Sequence, residues 1–299
     1  MFKRVISGDK IKMANNGRDD VKPIKCGKYE LKFNRTLIMG ILNVTPDSFS
    51  DGNLFLSPNK AINHAKQMVK EGADIIDVGG ESSRPGSEPV SEEEELRRVS
   101  QIIKKLAKEI NVPISIDTYK PKVAEECIKL GASIINDING LRNEEMIKVA
   151  AKYKVPAVIM HMKGTPKNMQ QNTVYNNVVK EIKEFLSDKI KEAKKAGIND
   201  IIIDPGIGFG KTTEHNLQIL KNLSEFKELK CPILVGPSRK SFIGSITGLP
   251  VNERLEGTIA AISIAIMNGA NIVRVHDVRE CRRAAEIVDA IKDNHSHRQ

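Results

Sequence analysis

"DIIIDPGIGFGKT", residues 200–212, contains three isoleucines closed by Asp204, then a glycine-rich loop, then a helix-like stretch. A short β-branched run of this kind reads as a buried strand. The loop ends in Gly-Lys-Thr, like the phosphate loop G-x-x-x-x-G-K-[ST] of nucleotide hydrolases. That motif needs glycine at its first position, which is Pro205 here. Proline has no backbone N–H and a fixed φ, so the turn that wraps phosphates is broken and an ATP or GTP site is rejected. Gly206, Gly208 and Gly210 instead let the chain pass close to a ligand or a neighbouring loop. Asp204 then points into whatever lies beyond the strand, beside Phe209.

The same unit recurs along the chain. Apolar runs occupy 37–43, 74–78, 113–117, 133–137, 156–161, 200–204, 232–236 and 271–275. Helical patterns fall near 58–71, 92–110, 121–130, 143–153, 174–196, 214–225, 253–268 and 278–292. Eight strand-then-helix units of this size predict an α/β protein, a (β/α)8 TIM barrel. Continuous apolar runs suit parallel strands buried on both faces. An open doubly wound sheet is the alternative; it usually has fewer repeats and one dominant glycine loop. "YELKF" (29–33) predicts a short strand before the barrel, part of a two-strand extension. The chain divides into a polar, basic leader over 1–28 and one barrel domain over 29–299.

The 299 residues are 40% apolar and 28% charged, an ordinary globular mix. No apolar run approaches the length of a membrane span, and the N-terminus lacks the apolar stretch of a secretory signal, so a cytoplasmic protein is expected. Cys26, Cys127, Cys231 and Cys281 are scattered and predict buried, reduced thiols rather than a metal site or disulfides. The net charge of +9 invites a nucleic-acid reading. Residues 1–35 carry +6 of it, leaving +3 for the other 264, so the excess reads as a solvated leader. Neither nucleic acid nor membrane is expected as a partner.

Polar residues gather where the apolar runs end. Asn43 closes the first, Asp77 lies near the end of the second, and Asp117 closes the third. Asn136 and Asp137 close the fourth, His161 the fifth and Asp204 the sixth, while Arg274 and His276 end the eighth. In a barrel these ends converge on the face where active sites are built. Any one of them reads equally well as a cap, and Asp137 and Asp277 are expected in that role. Convergence is what argues for a site. Three loops at that rim are conspicuous: "NVTPDSFSDGN" (43–53) and "GGESSRPGS" (79–87), which exceed what a connector needs, and "GPSRKSF" (236–242). The last brings Ser238, Arg239, Lys240 and Ser241 to the usual anion site of the fold, and Arg274 and His276 extend a positive wall.

These motifs, in this order, resemble the bacterial dihydropteroate synthases over roughly residues 30–292. The resemblance implies joining p-aminobenzoate to 6-hydroxymethyl-7,8-dihydropterin pyrophosphate by an SN1-like route, in folate synthesis, at a site that sulfonamides occupy. It implies that Asp117, Asn136, Asp204 and Lys240 hydrogen-bond the pterin, with Met160 and Phe209 on its faces. Asn43, Ser83, Arg84, Arg274 and His276 then hold the pyrophosphate, with Mg2+ as cofactor bridging Asn43 to the phosphates. Phe49, Ser83, Pro85, Lys240 and Ser241 hold the p-aminobenzoate. Thr45, Ser48, Ser50 and Asp51 belong to a closing first loop, and Asp51 supports the pterin cation. Asp51, Lys240, Arg274 and His276 are the implied catalytic set, and a homodimer is the implied assembly. Ser83 stands where many members carry threonine, with the hydroxyl kept. The alternatives are a methyltetrahydrofolate:corrinoid methyltransferase, which needs no pyrophosphate site, and an inactive pterin-binding module.

Overall fold

The eight apolar runs become one parallel sheet. In a computed structural model describing residues 21–45, 58–171 and 173–294, the strands are β3 (Leu37–Asn43), β4 (Ile75–Gly79), β5 (Ile114–Asp117), β6 (Ile134–Asp137), β7 (Ala157–Met160), β8 (Ile201–Asp204), β9 (Leu234–Val235) and β10 (Ile272–Val275). Each strand pairs with the next, and β10 returns to β3 in register, Ile272 opposite Leu37. Between β8 and β9 the ladder shrinks to one bridge, Ile203 to Ile233, which closes the barrel. The leader before residue 21, and Ser48, Phe49, Ser50 and Asp51 of the first loop, lie outside the described residues.

Helices alternate with the strands: α1 (Pro58–Lys70), α2 (Glu92–Glu109), α3 (Pro121–Leu130), α4 (Glu144–Tyr153), α5 (Val178–Lys195), α6 (Thr213–Lys221), α7 (Ser241–Thr247), α8 (Leu255–Met267) and α9 (Val278–Asn294). Their starts follow local chemistry. The Ser91 side chain accepts from the Glu94 N–H, and four glutamates fill the first turn of α2, where they meet the positive end of the helix dipole. Pro121 opens α3. Asn177 caps α5, so the helix begins at Val178 rather than at 174. The pattern near 214–225 divides into α6 and a 3-10 segment, Leu223–Leu229. The seven-residue α7 is an addition to the eight-helix expectation.

Two apolar layers result. One lies between the strands and the surrounding helices. The other fills the barrel's lower end with Leu37, Ile75, Ile134, Ile202, Leu234 and Ile272, which stand at or near their strands' starts. Below it sits an antiparallel hairpin, β1 (Ile24–Cys26) and β2 (Tyr29–Leu31). Ile24, Cys26, Leu31 and Phe33 press into the barrel floor. Burying each of the three large side chains contributes roughly 1.5–3 kcal/mol. The hairpin thus begins within the stretch 1–28, because Ile24 and Cys26 alternate with exposed Lys25 and supply its apolar face. It seals the end of the barrel opposite the strand ends.

The Gly-Lys-Thr loop turns inward. Gly206 has φ +73°, and a Cβ there would come within 1.9 Å of the His161 carbonyl oxygen. Lys211 is buried, and its Nζ faces three acceptors: the carbonyls of Phe209 (2.9 Å) and His161 (3.2 Å), and His161 Nδ1 (3.1 Å). Three N–H groups meet three acceptors, so the lysine staples its own loop to β7 instead of reaching for a phosphate. Burial pushes this lysine down to about 7. Gly206→Ala is expected to cost about 3 kcal/mol, from left-handed strain plus overpacking against a backbone oxygen. A urea melt of the two proteins measures it, and an unchanged midpoint would count against this packing.

Candidate active site

At the upper end of the barrel, Arg274 on β10 reaches across the mouth between two neighbouring strands. Its Nε donates to Asp77 Oδ2 of β4 at 2.6 Å, and one terminal nitrogen donates to Asp117 Oδ2 of β5 at 2.5 Å. Asn136 of β6 donates to the same Asp77 oxygen at 3.1 Å. Inward-facing positions at the ends of four strands, β4, β5, β6 and β10, thus form one polar floor. The expected positive wall is modified here, because the charge on Arg274 is matched by two carboxylates.

Burial dominates the electrostatics. It pushes the Asp117 carboxyl up, to about 7, while Arg274 pulls it down and the Asp77 carboxylate pushes it back. Asp204 at the end of β8 is also pushed up by burial, to about 6, although its Oδ1 accepts the Gly206 N–H at 2.7 Å. Lys240, which precedes α7, is pushed down by burial and by Arg274, to about 8, with Asp204 and Asp117 opposing. Its ammonium lies 3.9 Å from the centroid of the Phe209 ring. Phe209 packs with Ile138, Met160, Met162 and Met169 in a separate apolar cluster at this end, and Tyr119 lies against it. A flat, polar-edged ring would find an apolar face and a polar edge side by side.

His276, just past β10, is pushed down by burial and by Arg274, to about 3, so it is neutral at pH 7. Ser238 Oγ accepts the His276 backbone N–H at 3.3 Å and lies 3.0 Å from Nδ1. With the hydroxyl proton directed to Nδ1, the imidazole keeps its proton on Nε2 and is a neutral donor. Asn43 ends β3 beside this group; a Cβ at Gly79 would lie 3.7 Å from its Oδ1 and 3.6 Å from Asp117 Oδ2. Ser83 shares a small cavity with Asp117, Tyr119 and Ile138, whereas Arg84 and Pro85 stand exposed further out on the same loop. Ser241 is exposed at the first position of α7. Thr45 is buried at the start of the first loop.

Three expectations change. Arg239 forms an ion pair with Asp277, with Nε–Oδ2 at 3.0 Å, so it fastens the loop after β9 to the loop after β10 instead of awaiting an anion. Asp277 therefore holds Arg239, while Asp137 does close its own turn, accepting the N–H groups of Asn139 and Leu141. His161 is buried against Phe185 and engaged by Lys211, so it serves the wall of the barrel. Sequence reasoning gave no role to Asp77, the partner of Arg274, although its place near a strand end was visible. It also missed Glu81, Glu95 and Tyr119, which line the cavity beside Ser83, and Lys120, which pairs with both glutamates.

Residues 39–276 match the profile of the pterin binding enzymes. The dihydropteroate synthase of Clostridium beijerinckii is 54% identical over 273 residues, covering 90% of this chain and 99% of that protein. The crystal structure of the Yersinia pestis dihydropteroate synthase with a sulfonamide drug complex superposes with a TM-score of 0.87 at 44% identity, covering 91% of this chain and 99% of that one. That of Xanthomonas albilineans with 4-aminobenzoic acid gives 0.86 at 41% identity, covering 90% and 98%. With a barrel whose polar strand ends meet at one mouth, and with likeness of this extent along the whole domain, the chain belongs to the pterin binding enzymes and, among them, to the dihydropteroate synthases.

Proposed function

We propose that this chain joins p-aminobenzoate to 6-hydroxymethyl-7,8-dihydropterin pyrophosphate, releasing 7,8-dihydropteroate and pyrophosphate. The observation that carries the assignment of roles is the floor of Asp77, Asp117, Asn136 and Arg274, with Asp204 and Lys240 beside an apolar face. Asp117, Asn136 and Asp204 accept from and donate to the pterin edge, and Lys240 donates to its carbonyl. Phe209 and Met160 cover its faces. A wrong heterocycle leaves these buried groups unpaired, which is a strong basis for rejecting it.

Pyrophosphate leaves first in this scheme, and the aniline nitrogen attacks the pterin-stabilised cation. His276 donates as a neutral imidazole, and Arg274, Ser83 and Arg84 take up the charge of the leaving group. Lys240 and Ser241 orient the p-aminobenzoate carboxylate, with Pro85 against its ring. Among the described residues no cluster of three or more His, Cys, Asp or Glu offers a metal cage. A single hard amide oxygen, that of Asn43, nevertheless fits Mg2+, which takes few protein ligands when substrate phosphates complete its shell. When bound, the ion neutralises charge on the departing pyrophosphate. Rate then comes from positioning, preorganised charge and excluded water.

The proposal includes a homodimer and a cytoplasmic setting. Ile246 of α7, Leu249 and Val251 beyond it, and Ile264 and Met267 of α8 are exposed apolar side chains on contacting elements, an arrangement that suits a second copy. The four cysteines are unbridged and buried, which suits a reducing compartment.

Purified protein with Mg2+ and both substrates is expected to form dihydropteroate. Asn43→Ala, Asp117→Ala and Lys240→Ala should each lose on the order of 10²-fold or more in kcat/KM. Tight pterin binding without turnover would instead make the chain a binding module or a methyltransferase relative. Asp204 gives a second test. The unfolded carboxyl releases its proton near pH 4 and the folded one near pH 6, so its contribution to stability is lost as pH rises across that window. Asp204→Asn should therefore raise the melting temperature above pH 7 while weakening pterin binding; a variant no more stable at pH 8 than the wild type would refute this. Ile264→Glu should yield a monomer in sedimentation, and an unchanged dimer mass would remove this face from the interface.

A further inference from the structure

Beside the floor lies a second buried charge cluster that the scheme above does not use. Lys120 Nζ is 2.5 Å from Glu81 Oε2 and 2.5 Å from Glu95 Oε2. Glu81 Oε1 accepts the Tyr119 hydroxyl at 2.8 Å, and Glu81 Oε2 accepts the Val90 N–H at 2.9 Å. Burial raises the Glu95 carboxyl and Lys120 lowers it. Glu81 and Val90 stand at the two ends of the loop that carries Ser83, Arg84 and Pro85. One carboxylate therefore pins both ends of that loop, and one ammonium ties that carboxylate to α2 and to the segment after β5.

The floor is held differently. The Asp117 backbone sits in the barrel ladder opposite Gly79 and Asn136, and its carboxylate is fixed by Arg274. The loop's other ties lie mostly within itself or at the surface: Ser87 donates from Oγ to the Ser82 carbonyl at 2.6 Å and from its N–H to the Arg84 carbonyl at 3.1 Å, the Gly86 N–H donates to the Pro166 carbonyl at 3.0 Å, Lys167 pairs with exposed Glu88 at 2.9 Å, and Arg98 donates to the Gly80 carbonyl at 2.8 Å. Loss of the cluster should thus loosen the loop and leave the pterin grip standing.

Resting on the synthase reading above, we propose that Lys120, bridging Glu81 and Glu95, is a positioning residue that sets the second loop over the mouth and thereby governs use of p-aminobenzoate rather than binding of the pterin. Removing the ammonium also leaves two carboxylates buried together, which costs stability whatever the loop does. A pair of variants separates the two effects. Lys120→Met should lower the melting temperature and raise KM for p-aminobenzoate on the order of tenfold. The affinity for the pterin pyrophosphate, by calorimetry, should stay within about twofold. Lys120→Met with Glu95→Gln removes the excess charge, so stability should return while KM stays raised; this protein also carries the test should the single variant fail to fold. A KM for p-aminobenzoate that recovers together with the melting temperature, or that moves in step with pterin affinity, would overturn the positioning role. No turnover by the wild type would overturn the synthase reading and this inference with it, whereas turnover with an unchanged KM in both variants overturns this inference alone.

Discussion

Arg274 stands at the barrel mouth with a carboxylate from each of two neighbouring strands on its guanidinium, and the site is organised around that arrangement. A buried guanidinium without partners is prohibitively costly, and a planar fork reaches two carboxylates in fixed directions. Those directions orient Asp117 and, through Asp77, Asn136. Two of the groups proposed to read the pterin edge are therefore fixed before any ligand arrives. They are held by bonds between residues 157 and 197 positions apart, possible only because the barrel closes β10 against β3.

The same floor shows why such a site is a poor contributor to stability. Asp117 and Asp204 are both pushed upward by burial, and Lys240 and His276 are pushed downward. Burial makes the charged form of each group costlier than it is in water. A ligand with matching donors and acceptors relieves that tension, so recognition draws on free energy that folding left stored. The aliphatic layers below and around the barrel must outweigh it.

Much of this was legible in the residues. Leu37–Asn43 and Pro121–Leu130 have the bounds their patterns predict, because a β-branched run between turn residues and a proline at a first helical position are strong local signals. Convergence of Asn43, Asp117, Asn136, Asp204 and Arg274 followed from topology alone. The short α7 escaped because seven residues containing Gly244 carry almost no helical pattern. The pairing of Arg274 with Asp77 escaped for another reason: sequence spacing does not encode side-chain direction across a barrel. Glu95 was hidden among four consecutive glutamates, yet it lies on the face of α2 that also buries Val99, Ile102, Ile103 and Leu106. An acidic residue in register with an apolar stripe was the available sign that it needed a buried cation.

The hairpin under the barrel bears on the order of assembly during synthesis. Ile24 and Cys26 leave the ribosome early, but their seat includes Leu234 and Ile272, more than two hundred residues later. Contacts of that separation form late, after long loops have closed. The first described strand is thus seated only once the last strands exist, and a nascent or truncated chain carries it uncovered. Burial that pushes the Cys26 thiol up to about 12 belongs to the finished barrel alone. Until then the same sulfur has an ordinary acidity, and its reactivity records whether the ring has closed.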